Sequence, residues 1–231
     1  MPKHAVDESQ VPAVIQLAFD MSLNPVYRWE NFYISESNED AISLLQRWPN
    51  WDHRVQLIYG PKASGKTHMA HLWRHESRAS FVDDSVLKLD YLEEYVEQNP
   101  FLIIDDADLV QSHEGLLHLF NLVIEHQGYL LLTAASPPST WTITLPDLMS
   151  RLQSIPKVHI QAPDDALMKA LLIKRFSDLQ LKVSENVLSY LMKHIHRSYE
   201  SIHATTKVLS EKSLELRRNL TLPLVKSVLS L

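Results

Sequence analysis

Residues 60–67 place two glycines, a lysine and a threonine at the spacing of a phosphate-binding loop, directly after the apolar run 55–59. In such a loop, successive backbone N–H groups face phosphate oxygens, and the helix that follows adds the positive end of its dipole. The lysine then contacts the β- and γ-phosphates, and the threonine hydroxyl is a ligand of Mg²⁺. Only four glycines occur in the chain, and two stand in this loop, which argues against a chance run of small residues. The candidate nucleotide-binding positions are Gly60, Pro61, Lys62, Ala63, Ser64, Gly65, Lys66, Thr67 and His68.

Two adjacent carboxylates, Asp105 and Asp106, follow the apolar run 101–104. The carboxyl ends of parallel strands form the ligand-binding edge of an α/β sheet. We therefore expect Asp105 to join Thr67 as a metal ligand and Asp106 to position an attacking water as a catalytic residue. The alternative is that the two aspartates only begin a turn.

Arg151 is the second candidate catalytic residue. It lies in a predicted short helix, 146–152, between the last two predicted strands. On that flank of the sheet it is remote from the phosphates of its own subunit, so it could reach a nucleotide bound by a neighbouring molecule. A guanidinium supplied in this way stabilises the charge on a transferring phosphoryl group. The alternative is a surface salt bridge.

Apolar runs and helical periodicity predict the elements that position these residues. The predicted strands are 55–59, 79–82, 101–104, 129–133 and 157–160. The predicted helices up to this point are 35–48, 66–75, 86–96, 113–127 and 146–152. Strands that alternate with helices favour a doubly wound α/β fold with a five-stranded parallel sheet.

The pattern changes at Pro163. Beyond it we predict only helices, at 164–178, 184–195, 198–216 and 222–230. The sequence therefore divides into a mobile N-terminal tail (1–24), an α/β domain (25–162) and a small all-helical domain (163–231).

Composition limits the remaining function classes. The 231-residue chain has a net charge of −6 without a dense Lys/Arg stripe, so we expect no strong direct DNA binding. It has no cysteine, and no apolar run approaches the about 20 residues that span a bilayer. We therefore expect no membrane association and a cytoplasmic location.

One part of the tail has the pattern of a docking peptide. Gln16 is followed by large apolar residues, Leu17, Phe19 and Met21. A short extended segment of this kind suits an apolar pocket on a partner. The pattern alone favours the alternative, in which the tail packs on its own core.

The phosphate-binding loop, the Asp105–Asp106 pair, Arg151 and the helical segment after Pro163 together resemble an AAA+ ATPase. The resemblance is closest to the Hda-like family within the DnaA branch and spans residues 10–231. Further segments that carry it are 31–32, 37–38, 132–133, 137–138, 145–148, 150–152 and 220–223. It implies an AAA+ core with a helical lid that binds ADP or ATP with Mg²⁺.

The resemblance also implies a function as a negative regulator of bacterial replication initiation. Such a protein is tethered to the polymerase sliding clamp and directs an arginine finger to ATP bound by DnaA, which leaves DnaA in its ADP state. By this resemblance Gln16, Leu17, Phe19 and Met21 are the clamp-binding peptide and Arg151 is the finger. The sequence ends after the lid, so we expect no helix-turn-helix DNA-binding domain. A homodimer stays open.

Two positions depart from the family pattern. Ala135 occupies the sensor 1 position and Glu200 the sensor 2 position, where Arg197 could substitute as a nucleotide contact from the same helical face. We therefore expect weak intrinsic ATPase activity and a preference for ADP. The alternative functions are an ATP-driven loader or remodeller that acts as a homo-oligomer, and a nucleotide-insensitive scaffold.

Overall fold

A computed structural model describes residues 32–88 and 90–229. The predicted tail, with Gln16, Leu17, Phe19 and Met21, lies outside these ranges. None of the helices in them has the length and apolar character that crossing a membrane requires.

The sheet has five parallel strands in the order β2-β3-β4-β1-β5, which confirms the predicted α/β architecture. The strands are β1 Val55–Tyr59, β2 Ser80–Phe81, β3 Phe101–Ile104, β4 Tyr129–Ala134 and β5 Lys157–His159. Because β1 lies beside β4 and β4 beside β3, the segments that follow these three strands meet at one edge.

Helices cover both faces of the sheet. Those of the α/β part are α1 Glu39–Gln46, α2 Lys66–Ser77, α3 Leu92–Gln98, α4 His113–Glu125 and α5 Pro146–Ser154. Short 3₁₀ turns lie at Val86–Lys88, Ala107–Leu109 and Pro138–Thr140.

Two predicted helices differ from the observed ones. The first begins at Glu39 rather than Ser35, because the Asn38 side chain accepts a hydrogen bond from Ser35 N and holds the preceding residues in a turn. The predicted helix 86–96 is a 3₁₀ turn followed by the shorter helix α3. Asp83 Oδ1 accepts hydrogen bonds from the backbone of Ser85 and Val86 and so competes with helical hydrogen bonding at this point.

Alternate residues of the buried strands face opposite cores. Leu130 and Leu132 of β4 pack with α3, α4 and α5, whereas Leu131 packs with α1 and α2. The period of two residues explains why the sequence of this strand reads as a continuous apolar run.

Four helices follow the sheet, as predicted: α6 Asp165–Asp178, α7 Glu185–His194, α8 Tyr199–Leu216 and α9 Leu222–Leu229. They enclose a hydrophobic core of their own. Asp164 and Ser198 cap α6 and α8 through hydrogen bonds from Leu167 N (2.7 Å) and Ser201 N (3.1 Å). The helical domain contacts the α/β core through the buried Leu167 and Tyr199.

Candidate nucleotide-binding site

The phosphate-binding loop connects β1 to α2. Its backbone favours glycine at two positions: Gly65 has φ = +94°, and a Cβ on Gly60 would lie 2.7 Å from the carbonyl oxygen of Ile160. Ala63 also has a positive φ, of 63°. The loop is thus shaped by positions that favour close backbone approach, as a phosphate cradle needs.

Lys66 is buried at the mouth of the loop, where its ammonium donates hydrogen bonds to the carbonyl oxygens of Gly60 and Pro61, both at 2.9 Å. Burial lowers the pKa of Lys66, and the negative charges of Asp106 and Asp105 oppose that shift. The ammonium is therefore held where a phosphate oxygen could replace the carbonyls.

A chain of hydrogen bonds joins α2, β3 and β4 beside this lysine. Thr67 Oγ1 donates to Asp105 Oδ2 at 2.7 Å, and Thr133 Oγ1 donates to the other oxygen of Asp105. Thr133 Oγ1 in turn accepts a hydrogen bond from Asp106 N at 3.0 Å. The fully buried Thr133 thus orients both Asp105 and Asp106. Sequence reasoning missed this role, because a single threonine within an apolar strand gave no signal of it.

Asp106 adopts the left-handed conformation, with φ = 52°, and its side chain is exposed at the edge of the sheet. Partial loss of hydration, and then the negative charge of Asp105, raise the pKa of Asp106, while the positive charge of Lys66 lowers it. Such a carboxyl is suited to accept a hydrogen bond from water near the phosphates.

The residues at this edge fit a magnesium nucleotide. The Thr67 hydroxyl and Asp105 carboxylate are the hard oxygen ligands that Mg²⁺ prefers. Among the described residues, the buried Ser64 Oγ has no hydrogen-bond partner, which leaves a donor inside the loop. Lys62 and Ala63 are exposed at the tip of the loop, and the His68 ring meets the Phe32 ring edge-on at 5.3 Å.

Arg151 lies on α5 as predicted. Its Nε is 3.5 Å from Asp147 Oδ1 one turn earlier, its guanidinium carbon is 5.8 Å from the centre of the Phe120 ring, and its side chain is 36% exposed. The surface ion pair considered from the sequence is therefore present. A single exposed pair of this kind contributes only about 0.3–0.5 kcal/mol and is readily exchanged for another partner.

In the helical domain, Arg197 and Glu200 are arranged differently from the prediction. Helix α8 begins at Tyr199 with Ser198 as its cap, so Arg197 precedes the helix and shares no helical face with Glu200. The Arg197 side chain is 66% exposed and pairs with Asp165 at 3.0 Å. The capping hydrogen bond of Ser198 fixes the beginning of the helix at Tyr199, two residues after Arg197.

Comparisons with known proteins agree with this architecture. Residues 164–229 match the family model "Hda, lid domain". The DnaA protein of Clavibacter sepedonicus is 25% identical over 236 residues, which cover 91% of this chain and 49% of that protein. The chain therefore spans about half the length of this relative.

Two solved structures have a similar fold. Domain III of DnaA from Thermotoga maritima superposes with a TM-score of 0.74 at 18% identity, covering 90% of this chain and 97% of that one. AMPPCP-bound DnaA from Aquifex aeolicus superposes with a TM-score of 0.68 at 19% identity, covering 84% and 68%. Residues 164–229 are therefore similar to the lid domain of Hda, and the chain as a whole is similar in sequence to DnaA and shares the fold of its domain III.

Proposed function

We propose that this protein is a nucleotide-bound regulator of bacterial replication initiation that stimulates the hydrolysis of ATP held by DnaA. The observation that carries the proposal is Arg151, a partly exposed arginine on α5 whose ion pair to Asp147 is weak enough to be exchanged. The Hda-type lid and the DnaA-like fold support the same assignment.

In this proposal the protein's own nucleotide has a structural role. Lys66 and the loop amides bind the phosphates, Thr67 and Asp105 hold Mg²⁺, and the nucleotide supplies negative charge that fixes the loop. The AMPPCP-bound DnaA relative supports ADP or ATP as the ligand. Ala135, directly after β4, has no polar side chain with which to contact the γ-phosphate. Glu200 adds a negative charge in the first turn of α8. For both reasons, the protein's own hydrolysis of ATP through Asp106 is weak.

Arg151 acts on the nucleotide of DnaA. When the guanidinium leaves Asp147 and contacts the γ-phosphate, it stabilises the charge that develops during phosphoryl transfer. Arg151 is therefore catalytic in trans, and the two proteins share one composite site. Arg197 remains a proposed nucleotide contact that would have to exchange its partner Asp165.

The sliding clamp is the proposed tether, through Gln16, Leu17, Phe19 and Met21. A tether raises the effective concentration of Arg151 near DnaA on the same DNA and adds no contact at the reacting atoms. A cytoplasmic location follows from these partners, and neither strong direct DNA binding nor a homodimer is required.

The experiment measures hydrolysis of labelled ATP preloaded on DnaA, with clamp-loaded DNA and this protein in its ADP form. We expect stimulation by the wild type and by Asp147→Asn, which breaks the ion pair but keeps the guanidinium. Arg151→Ala should abolish it. Replacement of Gln16 and Phe19 by Ala should abolish the additional stimulation that clamp-loaded DNA provides to the wild type.

Two results would contradict the proposal. Absence of stimulation with the clamp bound would exclude the regulator and favour the homo-oligomeric loader, which should then assemble with ATP and hydrolyse its own nucleotide. Equal losses in Asp147→Asn and Arg151→Ala would assign Arg151 to the surface ion pair instead.

A further inference from the structure

A third carboxylate, Asp108, lies at the same edge of the sheet. It belongs to the 3₁₀ turn Ala107–Leu109 that follows Asp105 and Asp106. Both oxygens of its carboxylate are 3.2 Å from Ala135 N, directly after β4. The backbone immediately after β4 therefore fixes the position of this negative charge.

This position is adjacent to the phosphate-binding loop. Ala134, the residue before Ala135, accepts a hydrogen bond from Gly60 N at 3.1 Å, and Gly60 O accepts one from the Lys66 ammonium at 2.9 Å. The negative charge of Asp108 acts on both Lys66 and Asp106. Asp108 thus shares the electrostatic environment of the residue that would contact the terminal phosphates.

The charges at this edge are unbalanced. The negative charges of three carboxylates, Asp105, Asp106 and Asp108, act on the buried Lys66, and the positive charge of Lys62 acts on it from the loop. A bound Mg²⁺ would offset Asp105, but Asp108 is directed to a backbone amide instead. A triphosphate brings more negative charge to this edge than a diphosphate, and like charges repel.

We infer that Asp108 is a specificity-determining residue that makes the site prefer a nucleoside diphosphate over the triphosphate. The inference rests on the proposed function only in that the loop binds an adenine nucleotide. The fixed carboxylate of Asp108 would thereby favour the ADP form of the regulator over the ATP form.

The chain offers a matched control. Asp84 also accepts backbone hydrogen bonds, from Gln111 N and Ser112 N, but it does so at the beginning of α4. Asparagine at either position keeps an oxygen that accepts these bonds and removes the charge. Asp84→Asn therefore reproduces the chemical change of Asp108→Asn at a carboxylate that is not among the charges acting on Lys66 and Asp106.

The test is calorimetric titration of the full-length chain with ADP and with the non-hydrolysable analogue AMPPCP, both with Mg²⁺. In Asp108→Asn we expect the ratio of the AMPPCP to the ADP dissociation constant to fall about fivefold, because one like charge near the terminal phosphate is removed. The ratio should be unchanged in Asp84→Asn and in Asp108→Glu, which keeps the charge.

An unchanged ratio in Asp108→Asn would overturn the inference. So would a similar fall in Asp108→Asn and Asp108→Glu, because charge would then not be the cause. If Asp108→Asn does not fold, as judged by circular dichroism without nucleotide, Asp108→Ser with the same titrations decides. The titrations contain no DnaA, so loss of DnaA-dependent hydrolysis would refute the proposed function and leave this inference intact.

Discussion

Replacement of Thr133 by valine tests the hydrogen-bond chain that organises the acidic edge of the sheet. The Thr133 hydroxyl is fully buried, donates to Asp105 and accepts from Asp106 N at 3.0 Å. Valine has nearly the same shape, so packing is kept while both hydrogen bonds are lost. A hydrogen bond to a charged group contributes about 1.5–3 kcal/mol, and an unsatisfied buried donor costs about 1–3 kcal/mol.

Asp105 retains Thr67 as a partner and Asp106 N is only partly buried, so we take the lower half of the combined range. Thr133→Val should lower the free energy of unfolding by about 2.5–4 kcal/mol, which corresponds to a melting temperature about 5–16 °C lower for a chain of this size. Urea denaturation followed by tryptophan fluorescence measures this directly, because Trp51 and Trp73 are buried in the α/β core.

Thr206→Val is the control. Thr206 is equally buried, but its hydroxyl donates only to the carbonyls of Ile202 and His203 within α8. Its loss should cost less than about 1 kcal/mol. Equal destabilisation by the two substitutions would refute the claim that Thr133 holds the acidic pair.

The remaining predictions concern the nucleotide site. ADP at a hundred times its dissociation constant should stabilise the wild type by about 2.7 kcal/mol and raise its melting temperature. Lys66→Ala should abolish this rise in melting temperature. An equal rise in the variant would show that the loop does not bind the phosphates. Gly65→Ala should lower the free energy of unfolding by about 1–3 kcal/mol, because φ is +94° and the new Cβ would lie 3.0 Å from the Phe32 ring; an unchanged urea midpoint would contradict the strained loop. The folded pKa of Asp106 lies above its ordinary value of 3.8, so its contribution to stability is present below pH 3.8 and is lost as pH rises through the folded pKa. Asp106→Asn should therefore stabilise the nucleotide-free protein more at pH 7 than at pH 4, and the opposite order in urea titrations would exclude this cause.

The sheet could be predicted because its strands are short apolar runs between clear breaks. Strand β1 has the predicted bounds, since Gly60 ends it, and β3 and β4 follow Pro100 and Gly128. The prediction of one helix across 86–96 was wrong because the Asp83 side chain accepts backbone hydrogen bonds that interrupt a periodic apolar pattern. Periodicity reports which side chains can be buried, and it does not report such local competition.

The candidate site could be predicted in part. The loop and Asp105 follow a recognisable spacing, and the structure brings them together through Thr67. Thr133 and Asp108 were missed because their roles depend on the register between β3 and β4, which the sequence does not reveal. The prediction that Arg197 shares a helical face with Glu200 was wrong for a similar reason. The exact first residue of α8 decides whether Arg197 belongs to the helix, and the helix begins after it, at Tyr199.

The most direct test of the central claim is the single-turnover rate of ATP hydrolysis on DnaA when this protein is saturating. Saturation removes differences in affinity, so the rate reports only the groups that act on the phosphates. We expect Arg151→Ala to be slower by about a thousandfold or more at saturation, as for other arginine fingers, and Asp147→Asn to match the wild type. A wild-type rate in saturated Arg151→Ala would show that Arg151 contributes only to binding and would contradict the account.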